Sequence, residues 1–197
     1  MPWLDISKVK KLLYFFFVSL IISCSPKSLG YFEIDPFFKP TVNKFDESLY
    51  IDFSNHIKDD FAVSQTGMRT LNVSEFKQSL RFALKNTFDD QFKSVEFYNE
   101  EPKGFVLKLF RIEPTWWASE IKHMIRKEFK DTISYRDFGC NIKYECTLYY
   151  NNEKVSEANG EVRSTRDLYS MQNIEEVFRS AVKLSCENIA RQISERK

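Results

Sequence analysis

Residues 138–165 read FGCNIKYECTLYYNNEKVSEANGEVRST, and the alternation in this stretch decides the fold. Cys140, Ile142, Tyr144, Cys146, Leu148 and Tyr150 fall on one side of an extended chain, with Asn141, Lys143, Glu145 and Thr147 on the other. A period of two over this length is a strand with one buried face. Asn151-Asn152-Glu153-Lys154 supplies a hairpin loop. The return strand over 155–165 sets Ser156, Ala158, Gly160 and Val162 on one face, where their small size leaves room for a helix.

That helix follows. From Asn173, whose side chain with Glu176 fits a capping box, Ile174, Val177, Phe178, Ala181, Val182, Ser185, Cys186, Ile189, Ala190 and Ile193 make one broad apolar stripe. Glu175, Arg179, Lys183, Glu187 and Arg191 lie outside it. A wide stripe of small and medium residues suits a helix lying flat on a sheet.

Upstream, residues 105–112, FVLKLFRI, are apolar on both faces and predict a central strand that Pro114 ends. Residues 99–104 are turn material after a short strand over 94–98. Asn72-Val73-Ser74-Glu75 has the form of a capping box, and Val73, Phe76, Leu80, Leu84 and Phe88 then recur at helical spacing. Residues 48–54, SLYIDFS, alternate as a half-buried strand, and Gln65-Thr66-Gly67 suggests a turn. The order is strand, helix, two strands, an insertion, a hairpin and a helix. It predicts an α+β two-layer sandwich, an antiparallel or mixed sheet of roughly four to six strands with two main helices on one face.

The insertion reads PTWWASEIKHMIRKEFKD over 114–131. Trp117, Ile121, Met124 or Ile125, and Glu128 or Phe129 fall at helical spacing, so a helix closing the end of the sheet is expected. The alternative is a basic amphipathic flap in which Trp116 and Trp117 touch a membrane or a partner.

Composition narrows the function. The chain has 197 residues, 43 % of them apolar, which fits one domain with a real core. Five glycines leave little material for phosphate-binding loops. The net charge is +1, and acidic and basic residues are interspersed, so no electrostatic footprint for nucleic acid is present. Hydrolase elbows, zinc-protease helices, phosphate loops and paired zinc cysteines are absent from the sequence. His56 stands near Asp59 and Asp60 in NHIKDD, without a second ligand cluster, and reads as part of a polar loop; His123 is alone in the insertion. The chain is therefore expected to be no enzyme, and to hold neither metal nor cofactor.

The N-terminus speaks about location. Lys8, Lys10 and Lys11 precede an apolar run over 12–22, LLYFFFVSLII. The run is shorter than the ~20 residues a membrane span needs, and reads as an export signal. It ends in Ile21-Ile22-Ser23-Cys24, which resembles the lipobox of bacterial lipoproteins. That resemblance implies a diacylglyceryl group on the Cys24 sulfur and cleavage just before it. Ser25 in the following position, rather than Asp, favours the outer membrane in the same comparison. The chain then divides into a signal peptide over 1–23, a lipidated Cys24 with a short tether over 24–46, and a single α/β domain over 47–197. The tether carries Tyr31, Phe32, Phe37 and Phe38, which are expected to pack back on the domain or to rest near the lipid interface.

Export also sets the state of the cysteines. Cys140 and Cys146 are six residues apart on one strand, about 20 Å, too far to bridge each other. Cys186 is the one candidate partner for either; otherwise all three pack as small apolar groups.

In element order over roughly 21–193, the chain resembles the small α/β envelope lipoproteins of Gram-negative bacteria. These include auxiliary lipoproteins of lipid-transporting ABC systems and the lipoprotein partner of the lipopolysaccharide translocon. The resemblance implies a non-enzymatic accessory or protein-binding role, with an envelope protein as partner, and carries over no site residue. A carrier or sensor of an apolar ligand, held in a cavity of ~300 Å³ or more between sheet and helices, is the alternative.

Overall fold

The computed structural model describes residues 27–35, 45–64, 70–97, 103–120, 122–126, 128, 131–135, 137–167 and 174–195. The signal peptide, Cys24, Phe37, Phe38, the turn at 65–67 and the Asn173 cap lie outside the described residues.

Five strands form one mixed sheet in the order β10-β9-β6-β2-β5. They are β2 (Leu49–Phe53), β5 (Val95–Phe97), β6 (Phe105–Ala118), β9 (Asp137–Tyr150) and β10 (Glu153–Asp167). β2 runs parallel to both β5 and β6, and the other pairs are antiparallel. A three-stranded sheet, β1-β4-β3, adds β1 (Lys27–Leu29), β3 (Phe61–Val63) and β4 (Leu71–Val73). A two-stranded hairpin joins β7 (Lys122–Arg126) to β8 (Asp131–Tyr135). Helices α1 (Phe76–Phe88) and α2 (Ile174–Glu195) complete the α+β arrangement.

The alternation over 138–150 has its expected consequence. Cys140, Ile142, Tyr144, Cys146 and Leu148 are all buried, against Ala158 and Val162 of β10 and the apolar stripe of α2. Gln192 of α2 fixes the approach. Its Nε2 donates to the Tyr144 hydroxyl at 2.7 Å, and its Oε1 accepts from the Asn159 amide at 3.1 Å. The hairpin loop is tighter than the four residues expected. Asn151 and Asn152 alone make it, with φ of 49° and 68°, the left-handed pair that a two-residue turn between twisted strands requires.

Helix α1 begins differently from the sequence expectation. Asn72 lies in β4, Glu75 is left-handed at φ 55°, and no side chain of its own cap bonds the helix. The first free amides are met from a distance. Asp59 receives the Phe76 amide on its carbonyl at 3.1 Å and the Lys77 amide on its Oδ1 at 2.8 Å. A carboxylate at the positive end of the helix dipole serves as well as a local cap. Glu75 is thereby released to accept the Tyr31 amide on Oε2 at 3.1 Å.

The stretch read as tether is partly domain. β1 pairs in parallel with β4, and Leu29, Phe32 and Ile34 are core residues. Residues 31–35 lie along α1. The Phe32 amide donates to Ser79 Oγ at 3.1 Å, and Asn86 donates to Asp35 at 3.4 Å. Phe32 meets Phe178 edge-on with centroids 5.9 Å apart, and the Arg179 guanidinium covers it at 5.0 Å. The folded domain therefore takes in residues ahead of position 47.

The largest correction concerns residues 114–135. Among the described residues of that stretch no helix forms. β6 runs through Pro114 to Ala118 and stays paired with β9 all the way to Ala118 opposite Phe138. Pro114 is tolerated because β2 ends at Phe53 opposite Leu109, so this half of β6 has no ladder partner on that side among the described strands. Trp116 is buried and donates from Nε1 to the Val63 carbonyl at 2.8 Å. Trp117 is half-buried under the Arg163 guanidinium, 4.3 Å from its ring. Neither indole sits on a helical flap.

Candidate functional site

The site begins where β2 leaves the sheet. The Ser54 amide donates to the Leu109 carbonyl at 2.9 Å, one step past the last paired residue. The next residue of β6, Phe110, is a bulge between Leu109 and Arg111. Before it, Leu107 and Leu109 point into the core; after it, Ile112 and Trp116 do. The extra residue thus shifts the inward phase by one, so that Phe110, 39 % exposed, and Arg111 both face outward in succession. The chain from Ser54 to Asp60 then folds back beside β6, pinned by the buried Ile57, whose amide donates to the Ser54 carbonyl at 3.0 Å.

Between these segments lies an open cleft of about 590 Å³. Phe110, Ile112 and Pro114 line it from β6, and His56, Lys58, Phe61 and Ala62 from the opposite wall. Arg111, Glu113 and Glu145 complete the lining with charge. Arg111 donates from Nε to Glu113 at 2.8 Å and stands opposite Glu145 across the ladder. Lys143 stands opposite Glu113. Both signs thus alternate in adjacent positions, half-solvated, where an ion pair contributes no more than ~1 kcal/mol. A second, shallower cleft of about 380 Å³ continues past Arg111 and Glu145 to Asn159, Gly160 and Glu161.

This arrangement can hold an extended polar segment with an apolar anchor. The cleft's lining contains no Ser, Thr or Cys to serve as a nucleophile. Among the described residues no group of three or more His, Cys, Asp or Glu side chains is placed to hold a metal ion. No helix among them is long and apolar enough to cross a membrane.

Of the residues singled out from sequence, His56 is in the cleft. Asp59 serves the α1 terminus instead. His123 is on the β7–β8 hairpin. Cys140, Cys146 and Cys186 are free, buried thiols, each pushed up to about 12 chiefly by burial. Cys186 is close enough to Cys146 to add to its rise. Lys58, Phe110, Arg111, Glu113 and Glu145 were not singled out. The signal was present in the spacing of three from Leu109 to Ile112, which breaks the alternation of a strand and marks the bulge.

No protein-family model matches the chain, and no curated protein matches it. Several solved structures are similar to it. A Xanthomonas campestris protein of the DUF330 family is 11 % identical over 85 % of this chain and 96 % of that one, with a TM-score of 0.49. An uncharacterized lipoprotein B from Nitrosomonas europaea is 12 % identical over 80 % and 90 %, with a TM-score of 0.42. A minor lipoprotein from Acinetobacter baumannii is 10 % identical over 77 % and 92 %, with a TM-score of 0.38. These are loose likenesses of fold, and they assign no residue and no role.

Proposed function

We propose that this chain is a lipid-anchored protein of the bacterial cell envelope that binds another protein and catalyses nothing, using the cleft between His56 and Arg111. The observation that carries the reading is Ile21-Ile22-Ser23-Cys24, a lipobox behind a lysine-led apolar run and three residues ahead of β1. Acyl chains on Cys24 each contribute ~0.8 kcal/mol per buried methylene, so two or more hold the domain at its membrane. Ser25 favours the outer membrane, with the domain facing the periplasm.

The cleft's chemistry supports a protein partner. Its open shape, apolar floor and rim of both charge signs suit a peptide segment better than a small apolar molecule. A carrier of apolar ligands asks for space between sheet and helices. There Leu80, Leu84, Val177, Ala181, Cys146 and Ala158 are buried, whereas the cleft beside Phe110 is open to solvent.

The test is site-specific photo-crosslinking in cells that export the full chain. A photoreactive residue at Ala62, in the cleft wall, is expected to give a discrete adduct that Arg111→Glu removes. The same probe at Asn152, in the β9–β10 turn, is expected to give none. No adduct from Ala62, or the same adducts from both positions, contradicts the reading.

A further inference from the structure

We infer that the cleft takes its partner as an added β-strand, an extended segment that pairs with the open edge of β6 between Phe110 and Pro114. The inference rests on the protein-binding reading above and names the form of the segment that the cleft accepts.

The register fixes where the backbone groups of β6 point. In a strand the N–H and C=O of one residue face the same side, and successive residues alternate. Ahead of the bulge, Leu109 faces away from β9, since its carbonyl accepts from the Ser54 amide. Past the end of the strand, Ser119 faces β9, its amide donating to the Asp137 carbonyl. The pairing is unbroken from Arg111 opposite Glu145 to Ala118 opposite Phe138. Counting back along it, the odd-numbered residues face β9, and Ile112, Pro114 and Trp116 face the side that β2 has left. The one extra residue at Phe110 reconciles the two phases. Pro114 agrees with them, since a residue without an N–H sits where no ladder bond is needed. Among the described strands none pairs with this side of β6 beyond Leu109.

The cleft runs along that edge. Five consecutive residues, Phe110 to Pro114, line it. They include Ile112, opposite the buried Tyr144 on the inner face, and Arg111, opposite Glu145 on the outer face. A cleft lined from both faces of one strand lies at the edge of that strand. Its ends are bounded. Ser54 holds the Leu109 carbonyl at one, and the Val63 carbonyl receives the Trp116 indole at the other. β3 belongs to a different sheet from β6, so it reaches β6 through a side chain and leaves the ladder positions of Ile112 and Pro114 open. The lining residues span about 13 Å, the length of a strand of four or five residues.

The edge defines its occupant. Ile112 offers an N–H and a C=O, and Pro114 offers a C=O alone. A second extended backbone meets these groups in line, as in strand addition to a sheet edge. Its side chains must alternate. One set lies beside Ile112, Pro114 and Phe61 and is apolar. The other lies beside Arg111 and Glu113 on the outer face. Across the ladder Arg111 faces Glu145, and Glu113 faces Lys143. An acid beside Arg111 and a base beside Glu113 continue both rows with alternating sign, the pairing that cross-strand neighbours favour. The occupant is thus a linear segment of another protein, apolar at every second position with an acid and a base between.

The experiment uses the mature, acylated full-length chain in detergent micelles and one probe, the peptide Thr-Val-Glu-Val-Lys-Val-Thr carrying fluorescein at its N-terminus. Anisotropy is expected to report binding, and exchange of the Ile112 amide is expected to slow about tenfold or more at saturation. Two further probes carry backbone N-methyl groups, one on the three Val residues and one on Glu and Lys. Only one of these sets faces β6, so one probe is expected to lose about tenfold or more in affinity and the other to keep it. Arg111→Glu is expected to weaken the unmethylated probe. A probe that does not bind, or two methylated probes that bind alike, overturns strand addition. If Ala62 still gives its Arg111-dependent adduct in cells, the protein-binding reading then stands alone; without that adduct both fall.

Discussion

The indole of Trp117 packs against Gly139, its ladder partner, in the space a side chain there would fill. A Cβ at Gly139 would sit 2.5 Å from the indole Nε1 and 2.2 Å from the Ser164 carbonyl oxygen. Gly139→Ala is expected to destabilise the domain by ~1–3 kcal/mol, the usual cost of forced overpacking. Trp117→Ala in the same chain should not restore it, because the Ser164 carbonyl is backbone and cannot move aside. Urea unfolding of the single and double variants checks both statements.

The distant cap on α1 makes a second expectation. Asp59→Ala removes the acceptor of the Lys77 amide and should cost ~1 kcal/mol, in the range of lost N-caps. Asn72→Ala should cost no capping energy, since Asn72 lies in β4. Equal losses from the two variants by chemical denaturation would restore the local capping box.

The clamp at Gln192 is testable by a double-mutant cycle. Gln192→Leu removes one hydrogen bond from Tyr144 and one from the Asn159 amide, and ~1–2 kcal/mol of loss is expected. Combined with Tyr144→Phe, the losses should be less than additive, because the two side chains share a bond. Strict additivity would mean that the bond contributes nothing.

The buried thiols set an alkaline limit. Each of Cys140, Cys146 and Cys186 has its value raised from 9.0 to about 12 in the folded state. Between those values the folded chain holds protons that the unfolded chain has lost, so stability falls as pH rises. The loss is up to ~1.4 kcal/mol per pH unit for each thiol. Stability should be insensitive to these groups below pH 9 and should decline above it. Thiol reagents at pH 8 are expected to label none of the three until the domain unfolds, and the unreduced protein should show all three as free sulfhydryls. Rapid labelling of the native domain would contradict their burial.

How far the fold was legible depends on how local its causes are. The β9–β10 ribbon and both helices were readable because Cys140, Ile142, Tyr144, Cys146 and Leu148, or Phe76, Leu80 and Leu84, repeat at the period of the element that buries them. β1, β3 and β4 were missed because three residues show no period of their own and their pairing is decided by distant neighbours; β5, equally short, was marked by the turn residues that follow it. The Trp116 segment was misread because Pro114 ends a strand only where its missing N–H is needed. Here the end of β2 removes that need, and Val63, 53 residues away, rewards the indole with a carbonyl. The candidate cleft was half legible. His56 stood out as a residue type, while its neighbours at Phe110 and Arg111 are brought to it by a bulge whose trace is one irregular spacing.

Everything about location follows from the chemistry of one sulfur. Intact-mass and N-terminal peptide analysis of the mature protein, purified from membranes of cells that export it, examines that atom itself. The expected product begins at Cys24 and carries a thioether-linked diacylglyceryl group, and Cys24→Ser should yield a chain without acyl mass that leaves the membrane fraction. A mature chain that starts at another residue, or a Cys24 of unmodified mass, would contradict the account.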